Sequence, residues 1–360
     1  MSKRVLMAMS GGIDSSVSAL LLQEQGYELV GATFRTFDYI KESCLAKEKG
    51  CCSVESIMEA KHFAESIGVE HHILDFRQLF RDHVIANFVQ EYKLGRTPNP
   101  CVLCNSHIKW GVLLKAADEL GCDYIATGHY ARIAQHHGHY YLQTAADEHK
   151  DQTYFLWMLT EENLQRTIFP LGGYTKPEVR RLAQERHFEK LAKKSESQEI
   201  CFIPDNDYRT FLTQHGCEIT PGNFIDSEGH KLGQHQGCYN FTIGQRKGIG
   251  LAFGTPKYVT RINTATNEVT LGDRNDPFCN NVFASDVRLR DVEWLRESPE
   301  VMARIRYKSP ASEAKLVLED DFEETHRMHL HFHKPVWGVT PGQSVVLYKD
   351  GMVVGGGLIE

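Results

Sequence analysis

The sequence predicts an α/β domain built on a mostly parallel sheet, followed by a small, mostly-β central domain and a C-terminal β-barrel. Strand-like and helix-like apolar segments alternate up to about residue 200, which is typical of a parallel sheet covered by helices. After Cys201 the chain changes to short strand-like segments broken by glycine and proline. At 360 residues it is too long for one hydrophobic core. We expect domains over 1–203, 204–278 and 279–360.

The N-terminal elements follow from periodicity and from glycine stops. Helical spacing of apolar residues ends at Gly26, Gly68 and Gly121, each of which favours a helix C-terminus. The predicted strands are 4–9, 29–34, 71–75 and 124–127, and the predicted helices are 15–25, 56–67 and 108–120.

The C-terminal elements follow from period-two alternation. Turn signals at Pro341-Gly342 and Asp350-Gly351 separate segments that alternate between apolar and polar residues. The predicted antiparallel strands include 303–307, 314–318, 328–332 and 344–348. Such strands predict a small β-barrel.

Composition restricts the class of protein. Hydrophobic residues make up 41% and charged residues 24%, and no apolar run is long enough to span a membrane. The N-terminus shows no secretory signal, so we expect a soluble cytoplasmic protein without a membrane partner. A net charge of −7 excludes a generally basic nucleic-acid coat, although the segment 176–194 contains seven Lys/Arg against three Glu.

A glycine and serine loop lies between the first strand and the first helix. The loop runs Ser10-Gly11-Gly12-Ile13-Asp14-Ser15-Ser16, where backbone N–H groups and a helix N-terminus can hold a phosphate. It matches neither the Walker motif nor the G-x-G-x-x-G fingerprint. Asp14 would repel a phosphate, so we expect a Mg²⁺ ion to bridge them.

Two cysteine segments suggest chemistry as well. Cys101 and Cys104 form a C-x-x-C after a Pro-x-Pro turn and before a helix, a spacing compatible with zinc binding or with redox chemistry. Cys201 lies in an apolar stretch, where a buried packing thiol is the usual interpretation. Cys44, Cys51 and Cys52 are interpreted as loop thiols, and the remaining four cysteines as packing residues.

The combined motifs resemble a known family from end to end. The phosphate loop is similar to the PP-loop of ATP pyrophosphatases, which cleave ATP between its α and β phosphates. The full ordered set resembles the bacterial tRNA 2-thiouridylases of the MnmA type, whose fold is adenine nucleotide α-hydrolase-like. The segments that carry the resemblance are 10–16, 98–105, 126–130, 150–156, 200–202, 242–248, 340–344 and 355–357.

The resemblance implies an enzyme that uses ATP to adenylate the C2 oxygen of the wobble uridine in tRNA and then replaces that oxygen with sulfur. The cysteine matching Cys201 carries a persulfide, and the one matching Cys104 is the partner nucleophile that leaves a disulfide to be reduced. Many relatives have aspartate at the position of Cys101, proposed as a general acid/base. We expect Cys101, Cys104 and Cys201 to be catalytic.

The three cysteines also support an alternative, in which they bind an iron–sulfur cluster with one open iron. We favour the persulfide scheme, with ATP and Mg²⁺ as cofactors and with tRNA and a sulfur-donor or relay protein as partners. Two other functions compete: a PP-loop ligase that adenylates a small molecule, and an RNA-binding or metal-carrying scaffold. The paired cysteines and the absence of an obvious glutaminase segment disfavour the ligase. The intact loop and the three cysteines disfavour the scaffold.

The resemblance also assigns binding residues. We expect ATP to bind at the phosphate loop and at Phe34 and Gly128. We expect tRNA to contact the residues around its flipped base, the loop after the fourth strand and the barrel. The ATP-binding residues are Ala8, Met9, Ser10, Gly11, Gly12, Ile13, Asp14, Ser15, Phe34 and Gly128. The tRNA-binding residues are Asn99, Pro100, Cys101, His129, Lys150, Asp151, Gln152, Arg306, Tyr307 and Gln343. Arg246, Lys247 and the basic segment 176–194 are further candidate phosphate binders.

Overall fold

The computed structural model describes residues 3–37, 54–193, 200–203, 207–218 and 220–360. Cys44, Cys51 and Cys52 lie outside the described residues, so their interpretation as loop thiols stays a prediction. The strands of the described residues are β1 Arg4–Ala8, β2 Glu28–Arg35, β3 Glu70–Asp75, β4 Tyr124–Ala126, β5 Arg132–His136, β6 His139–Gln143, β7 Thr167–Ile168, β8 Gly222–Ile225, β9 Lys231–His235, β10 Tyr258–Asn263, β11 Glu268–Gly272, β12 Phe278–Leu289, β13 Glu300–Arg304, β14 Ser312–Val317, β15 Met328–Trp337, β16 Ser344–Lys349 and β17 Met352–Ile359.

The helices are shorter and more numerous than the sequence predicts, particularly between residues 77 and 119. There two π-helical segments, Arg81–Ile85 and Cys104–Trp110, alternate with α-helical turns. The α-helices are α1 Ile13–Glu24, α2 Val54–Ser66, α3 Arg77–Phe80, α4 Ala86–Lys93, α5 Pro100–Leu103, α6 Gly111–Glu119, α7 Glu161–Gln165, α8 Lys176–Glu185, α9 Glu189–Ala192, α10 Tyr208–Gln214, α11 Val292–Glu297 and α12 Phe322–Thr325.

The chain divides into two compact units. The first comprises Met1–Ile85, Cys101–Asp207 and Gly351–Val353, and the second comprises Ala86–Pro100, Tyr208–Asp350 and Val354–Glu360. No described helix is long and apolar enough to cross a membrane.

The first unit contains a five-stranded sheet in the order β3-β2-β1-β4-β7, and every pairing in it is parallel. β1 and β2 pair in register from Arg4 with Glu28 to Ala8 with Ala32. Helix α1 packs on β1 through Ala19 and Leu22, both fully buried, because its apolar residues recur at helical spacing. The sheet order changes direction at β1, since β2 lies on one side of it and β4 on the other. Ligands of open parallel sheets bind at the carboxyl ends of the strands at such a switch point.

The second unit contains two β structures. A four-stranded sheet in the order β10-β11-β8-β9 surrounds a core that includes Phe224, Val259 and Val269. Strands β12, β15, β14, β13, β16 and β17 follow one another around a closed six-stranded barrel, since β12 also pairs with β17. The predicted fold class is therefore confirmed: a parallel α/β domain, a small mostly-β centre and a C-terminal barrel.

Candidate active site at the phosphate loop and the cysteine helix

The loop Ser10–Ser16 connects β1 to α1 at the switch point of the parallel sheet. Gly11 has φ +69°, and a Cβ there would lie 2.5 Å from the Ser56 carbonyl oxygen, so both the conformation and the space require glycine. Gly12 is the N-cap of α1 and has no side chain to close the helix end. The N-terminus of a twelve-residue helix therefore remains available to an anion at this loop.

The serine hydroxyls act within the loop. Buried Ser15 donates from Oγ to the Gly12 carbonyl at 3.0 Å and accepts from the Ser10 backbone N–H at 3.1 Å. Buried Ser16 donates to the same carbonyl at 3.1 Å. Ser10 is exposed, with its Oγ 3.3 Å from Ser15 Oγ. The hydroxyls of Ser15 and Ser16 therefore fix the conformation of the loop.

Asp14 is held by two residues that the sequence did not indicate. Lys176 Nζ donates to both carboxylate oxygens, at 2.7 Å and 2.8 Å, and the Tyr130 hydroxyl donates to Asp14 Oδ1 at 2.8 Å. Both oxygens are thus engaged by protein donors. Among the described residues, no group of three His, Cys, Asp or Glu could hold a metal ion. In this structure Asp14 is therefore paired with protein donors and not grouped with other metal-ligating side chains.

Gly128, in the loop after β4, touches the phosphate loop. A Cβ on Gly128 would lie 2.8 Å from the Ser15 backbone nitrogen and 2.9 Å from the Asp14 carbonyl carbon. Both distances are shorter than real Cβ contacts, so the absence of a side chain is what allows the two loops to meet. Gly128, which the resemblance assigns to ATP binding, thus packs against the phosphate loop itself.

His129 lies in a largely apolar setting beside the Trp110 and Phe169 rings. Its Nδ1 pairs with Thr127 Oγ1 at 2.8 Å, and its Nε2 lies 3.4 Å from Lys109 Nζ. Burial, followed by the charge of Lys109, lowers the pKa of His129 well below its usual value of 6.5. The ring is therefore neutral at physiological pH and accepts from the ammonium of Lys109.

The remaining residues predicted to bind ATP line β1, α1 and β2. Met9 and Ile13 are each 3% exposed and pack in the cores on either side of α1. Half-buried Ala8 ends β1. Half-buried Phe34, near the end of β2, packs at 5.4 Å against the Phe76 ring. Of these four, Phe34 is the large side chain that is half-buried near the carboxyl end of a strand, whereas Met9, which directly follows β1, is buried in the core.

The segment Lys150–Gln152 supports the loop that carries Tyr130. Asp151 is 2% exposed and accepts from the Ala145 backbone and from the Thr153 hydroxyl. Gln152 pairs with Tyr130 in both directions, since its backbone N–H donates to the Tyr130 carbonyl and its Oε1 accepts from the Tyr130 N–H. Lys150 is half-buried. Asp151 and Gln152 thus have structural partners that the sequence did not indicate.

The three predicted catalytic cysteines belong to the first unit. Cys101 is exposed in α5, Cys104 is half-buried at the start of the second π-helical segment, and Cys201 is half-buried beside Phe202. Phe202 packs edge-on against Phe80 at 5.6 Å. Single-turn π segments occur frequently at functional sites. In the described part of the chain, no group of three His, Cys, Asp or Glu side chains is arranged to hold a metal ion.

Four other cysteines behave as packing residues. Cys122, Cys217 and Cys238 are buried and Cys279 is half-buried. Burial raises the pKa of each of these thiols, which disfavours the thiolate form. The expectation that these cysteines pack is confirmed for Cys122, Cys217 and Cys238, which are buried.

The basic segment 176–194 is largely used within the first unit. Lys176 pairs with Asp14, Arg180 donates to the Ala192 carbonyl at 2.6 Å, and Arg186 makes a two-point pair with Glu24 at 2.7 Å and 2.6 Å. Lys190 and Lys193 are exposed, and Lys194 lies outside the described residues. The excess of positive charge in the sequence is thus partly a set of intramolecular contacts.

In the second unit, Gln343 holds the turn at Thr97 and Pro98, which precedes α5. Its Nε2 donates to the Thr97 carbonyl at 2.8 Å and to the Pro98 carbonyl at 3.2 Å. Half-buried Asn99 and buried Pro100 follow directly. Gln343 therefore positions the residues expected at the target base.

Arg306 is engaged inside the barrel. Its Nη2 donates to the Trp337 and Gly338 carbonyls at 2.9 Å and 2.5 Å, and its guanidinium lies 5.2 Å from the Trp337 ring centre. Tyr307 beside it is half-buried. The guanidinium stabilises a turn of the barrel, a role that sequence reasoning missed.

A parallel sheet with a serine and glycine phosphate loop at its switch point, and with a glycine of the neighbouring loop packed against it, defines a nucleotide-binding domain of the HUP class. Three family descriptions match the chain in order: tRNA methyl transferase HUP domain at residues 3–205, tRNA methyl transferase PRC-barrel domain at 209–273, and aminomethyltransferase beta-barrel domain at 284–359. The chain belongs to the family of MnmA tRNA-specific 2-thiouridylases.

Individual relatives extend over the whole chain. The tRNA-specific 2-thiouridylase MnmA of Amoebophilus asiaticus is 47% identical over 99% of this chain and 95% of that protein. The MnmA of Carboxydothermus hydrogenoformans is 47% identical over 99% and 98%, and that of Cytophaga hutchinsonii is 44% identical over 99% and 97%. Family membership implies that the protein uses ATP.

Proposed function

We propose that this protein is a cytoplasmic tRNA-uridine 2-sulfurtransferase that adenylates the C2 oxygen of the wobble uridine and then replaces it with sulfur. The observation that carries the proposal is the presence, in one compact unit, of the phosphate loop at the sheet switch point and of three cysteines, Cys101, Cys104 and Cys201. Family membership supports both the ATP use and the tRNA substrate.

The first step activates the uridine. The O2 atom attacks the α-phosphorus of ATP, the bond between Pα and the bridging oxygen to Pβ breaks, and pyrophosphate leaves. The loop Ser10–Ser16 and the N-terminus of α1 hold the phosphates by backbone N–H groups and the helix dipole. We propose that Mg²⁺ accompanies the ATP phosphates, because Asp14 is engaged by Lys176 and Tyr130.

The second step transfers sulfur. The terminal sulfur of a persulfide on Cys201 attacks C2 and displaces AMP, which gives a C2–S–S–Cys201 adduct. The Cys104 thiolate then attacks Cys201 Sγ, breaks the S–S bond, releases 2-thiouridine and leaves a Cys104–Cys201 disulfide. A dithiol reductant restores both thiols, and a sulfur-donor protein reloads Cys201. Exposed Cys101 is the proposed proton donor and acceptor beside the base.

The tRNA contacts are proposed in two groups. Asn99, Pro100 and Cys101 lie next to the turn held by Gln343 and are assigned to the flipped base. The rest of the tRNA is assigned to His129, Lys150, Arg306 and Tyr307. These residues would contact it through atoms that do not make the hydrogen bonds described above. Asp151 and Gln152 contribute by fixing the loop.

The test combines ATP, Mg²⁺, a persulfide donor and unmodified tRNA and measures 2-thiouridine and pyrophosphate. The wild type is expected to form both. The variant C104S is expected to stop at the adduct and to leave tRNA attached to Cys201 by a bond that dithiothreitol cleaves, whereas C201S gives no attachment. The variant C217S, altered at a buried packing thiol, is the control.

Turnover without tRNA attachment in C104S would contradict the order of steps. Iron and absorbance measurements on anaerobically purified protein test the alternative scheme. A stoichiometric iron–sulfur cluster that is required for turnover would contradict the persulfide scheme and support the cluster-dependent one.

A further inference from the structure

Lys176 is an unusual residue for the start of a helix, because its ammonium is buried. Its side chain is 8% exposed and its Nζ contacts both oxygens of Asp14, which is 162 residues away in the sequence. A buried lysine is costly unless its charge is paired. The pair therefore joins α8 to the phosphate loop within the first unit.

The surroundings hold Lys176 in place. Thr175 precedes it as the N-cap, and Glu178 Oε2 accepts from the Thr175 backbone N–H at 2.7 Å, which closes a capping box. The Lys176 backbone N–H donates to Asp147 Oδ2 at 2.9 Å. The ammonium also lies 5.8 Å from the centre of the Tyr130 ring, and that residue binds Asp14 as well. The geometry at Asp14 is thus built by a helix start and by two separate loops.

The arrangement determines how Asp14 meets a polyphosphate. An unpaired carboxylate at the N-terminus of α1 would repel the phosphates, and an ammonium at 2.7 Å cancels that charge. A divalent cation bound to the same carboxylate would have to displace Lys176 or lie beside its positive charge. Metal bridging and the ion pair are therefore competing arrangements of Asp14.

We propose that Lys176 is a positioning residue that serves as the resident cation of the phosphate loop, so that Asp14 does not bind the metal of MgATP. Lys176 neutralises the charge of Asp14 in the nucleotide-free enzyme, so the loop does not repel the phosphates of ATP. The inference rests on ATP use at this loop, as in the proposed function, and is independent of the sulfur chemistry.

The test is a cycle of the variants K176M, D14N and K176M/D14N, with ATP affinity measured by calorimetry at saturating Mg²⁺. K176M leaves Asp14 charged and is expected to weaken ATP binding by roughly tenfold or more. D14N keeps the lysine charge and is expected to bind ATP at least as tightly as the wild type. The double variant, which removes both charges, is expected to recover most of the affinity lost in K176M.

A metal-bridging role for Asp14 predicts the opposite order. D14N would then weaken ATP binding and its dependence on Mg²⁺, while K176M would have the smaller effect. That order would overturn the proposal, and so would additive effects in the double variant. A merely structural role for the ion pair would weaken binding in both single variants alike, which also contradicts the proposal.

A second readout uses no ATP. Electron paramagnetic resonance of Mn²⁺, used in place of Mg²⁺, is expected to show no stoichiometric binding to the wild type. Stoichiometric Mn²⁺ binding by the wild type that D14N abolishes would overturn the proposal.

Two controls complete the design. K115M, at an exposed lysine of α6, removes a charge elsewhere on the same unit and is expected to leave ATP binding unchanged. K176R is expected to retain ATP binding because it keeps the positive charge. If the wild type forms no 2-thiouridine but the binding order holds, the proposed sulfur chemistry fails while the role of Lys176 stands.

Discussion

At the scale of single residues, the site is organised by contacts within the protein. Ser15 and Ser16 bond to the Gly12 carbonyl, and Asp14 is paired with Lys176. These side chains fix the path of the backbone, which leaves the helix N-terminus as the main anion-binding feature. A phosphate loop of this kind depends on close backbone packing more than on side-chain donors.

Gly128 tests that dependence. The variant G128A would place a methyl group 2.8 Å from the Ser15 nitrogen, so the two loops must separate. We expect ATP affinity to fall about tenfold and unfolding stability to fall by about 1–3 kcal/mol, as for overpacked sites. Calorimetry and thermal unfolding measure the two effects. G173A, at a glycine with nothing within 4 Å, is the control and should change neither quantity.

His129 gives a prediction for pH. The pKa of His129 in the folded protein lies well below its usual value of 6.5. As the pH falls below about 6.5, the unfolded chain therefore binds a proton at this residue and the folded chain does not. The stabilising effect of the neutral ring is complete above the unfolded pKa and is lost on acidification. We expect H129Q to reduce the slope of unfolding free energy against pH between pH 5 and 6.5 by up to about 1.4 kcal/mol per unit.

Denaturant unfolding at several pH values measures this slope. H149Q, at an exposed histidine, is the matched control and should retain the slope of the wild type. An unchanged slope in H129Q would show that the ring takes up its proton in the folded state.

At the scale of elements, periodicity predicted most of the sheet and barrel, because each strand and helix carries its own repeat of buried positions. Strands β1 to β4 and helix α1 lie within a few residues of their predicted bounds. The Lys176–Asp14 pair could not be predicted, since a contact across 162 residues leaves no local pattern. The buried role of Asp151 was missed for the same reason.

The turn before α5 is held by the side-chain amide of Gln343. Q343A removes the donor to the Thr97 and Pro98 carbonyls and should cost about 1 kcal/mol of unfolding free energy. We expect weaker tRNA binding with unchanged ATP affinity, because the turn carries the residues assigned to the base. Filter binding and calorimetry distinguish the two, and Q234A at an exposed glutamine is the control.

At the scale of the whole molecule, an acidic protein with net charge −7 must bind an anionic tRNA through local basic surfaces. Arg246 and Lys247 are exposed in a turn where Gln245 bonds to the Lys247 carbonyl at 2.9 Å. We expect R246Q/K247Q to weaken tRNA binding and to reduce the slope of log affinity against log salt by about 1–2. R181Q/K190Q, at exposed positions of the basic segment, is the comparison, and an unchanged slope in R246Q/K247Q would exclude the turn from the interface.

The central claim is that ATP activates the uridine oxygen itself. The direct measurement uses tRNA carrying ¹⁸O at the C2 oxygen of the wobble uridine, with mass analysis of the AMP and pyrophosphate formed during thiolation. The O2–Pα bond forms and the C2–O2 bond later breaks, so the account predicts one ¹⁸O atom in AMP for each 2-thiouridine and none in pyrophosphate. Unlabelled AMP alongside stoichiometric 2-thiouridine would contradict it.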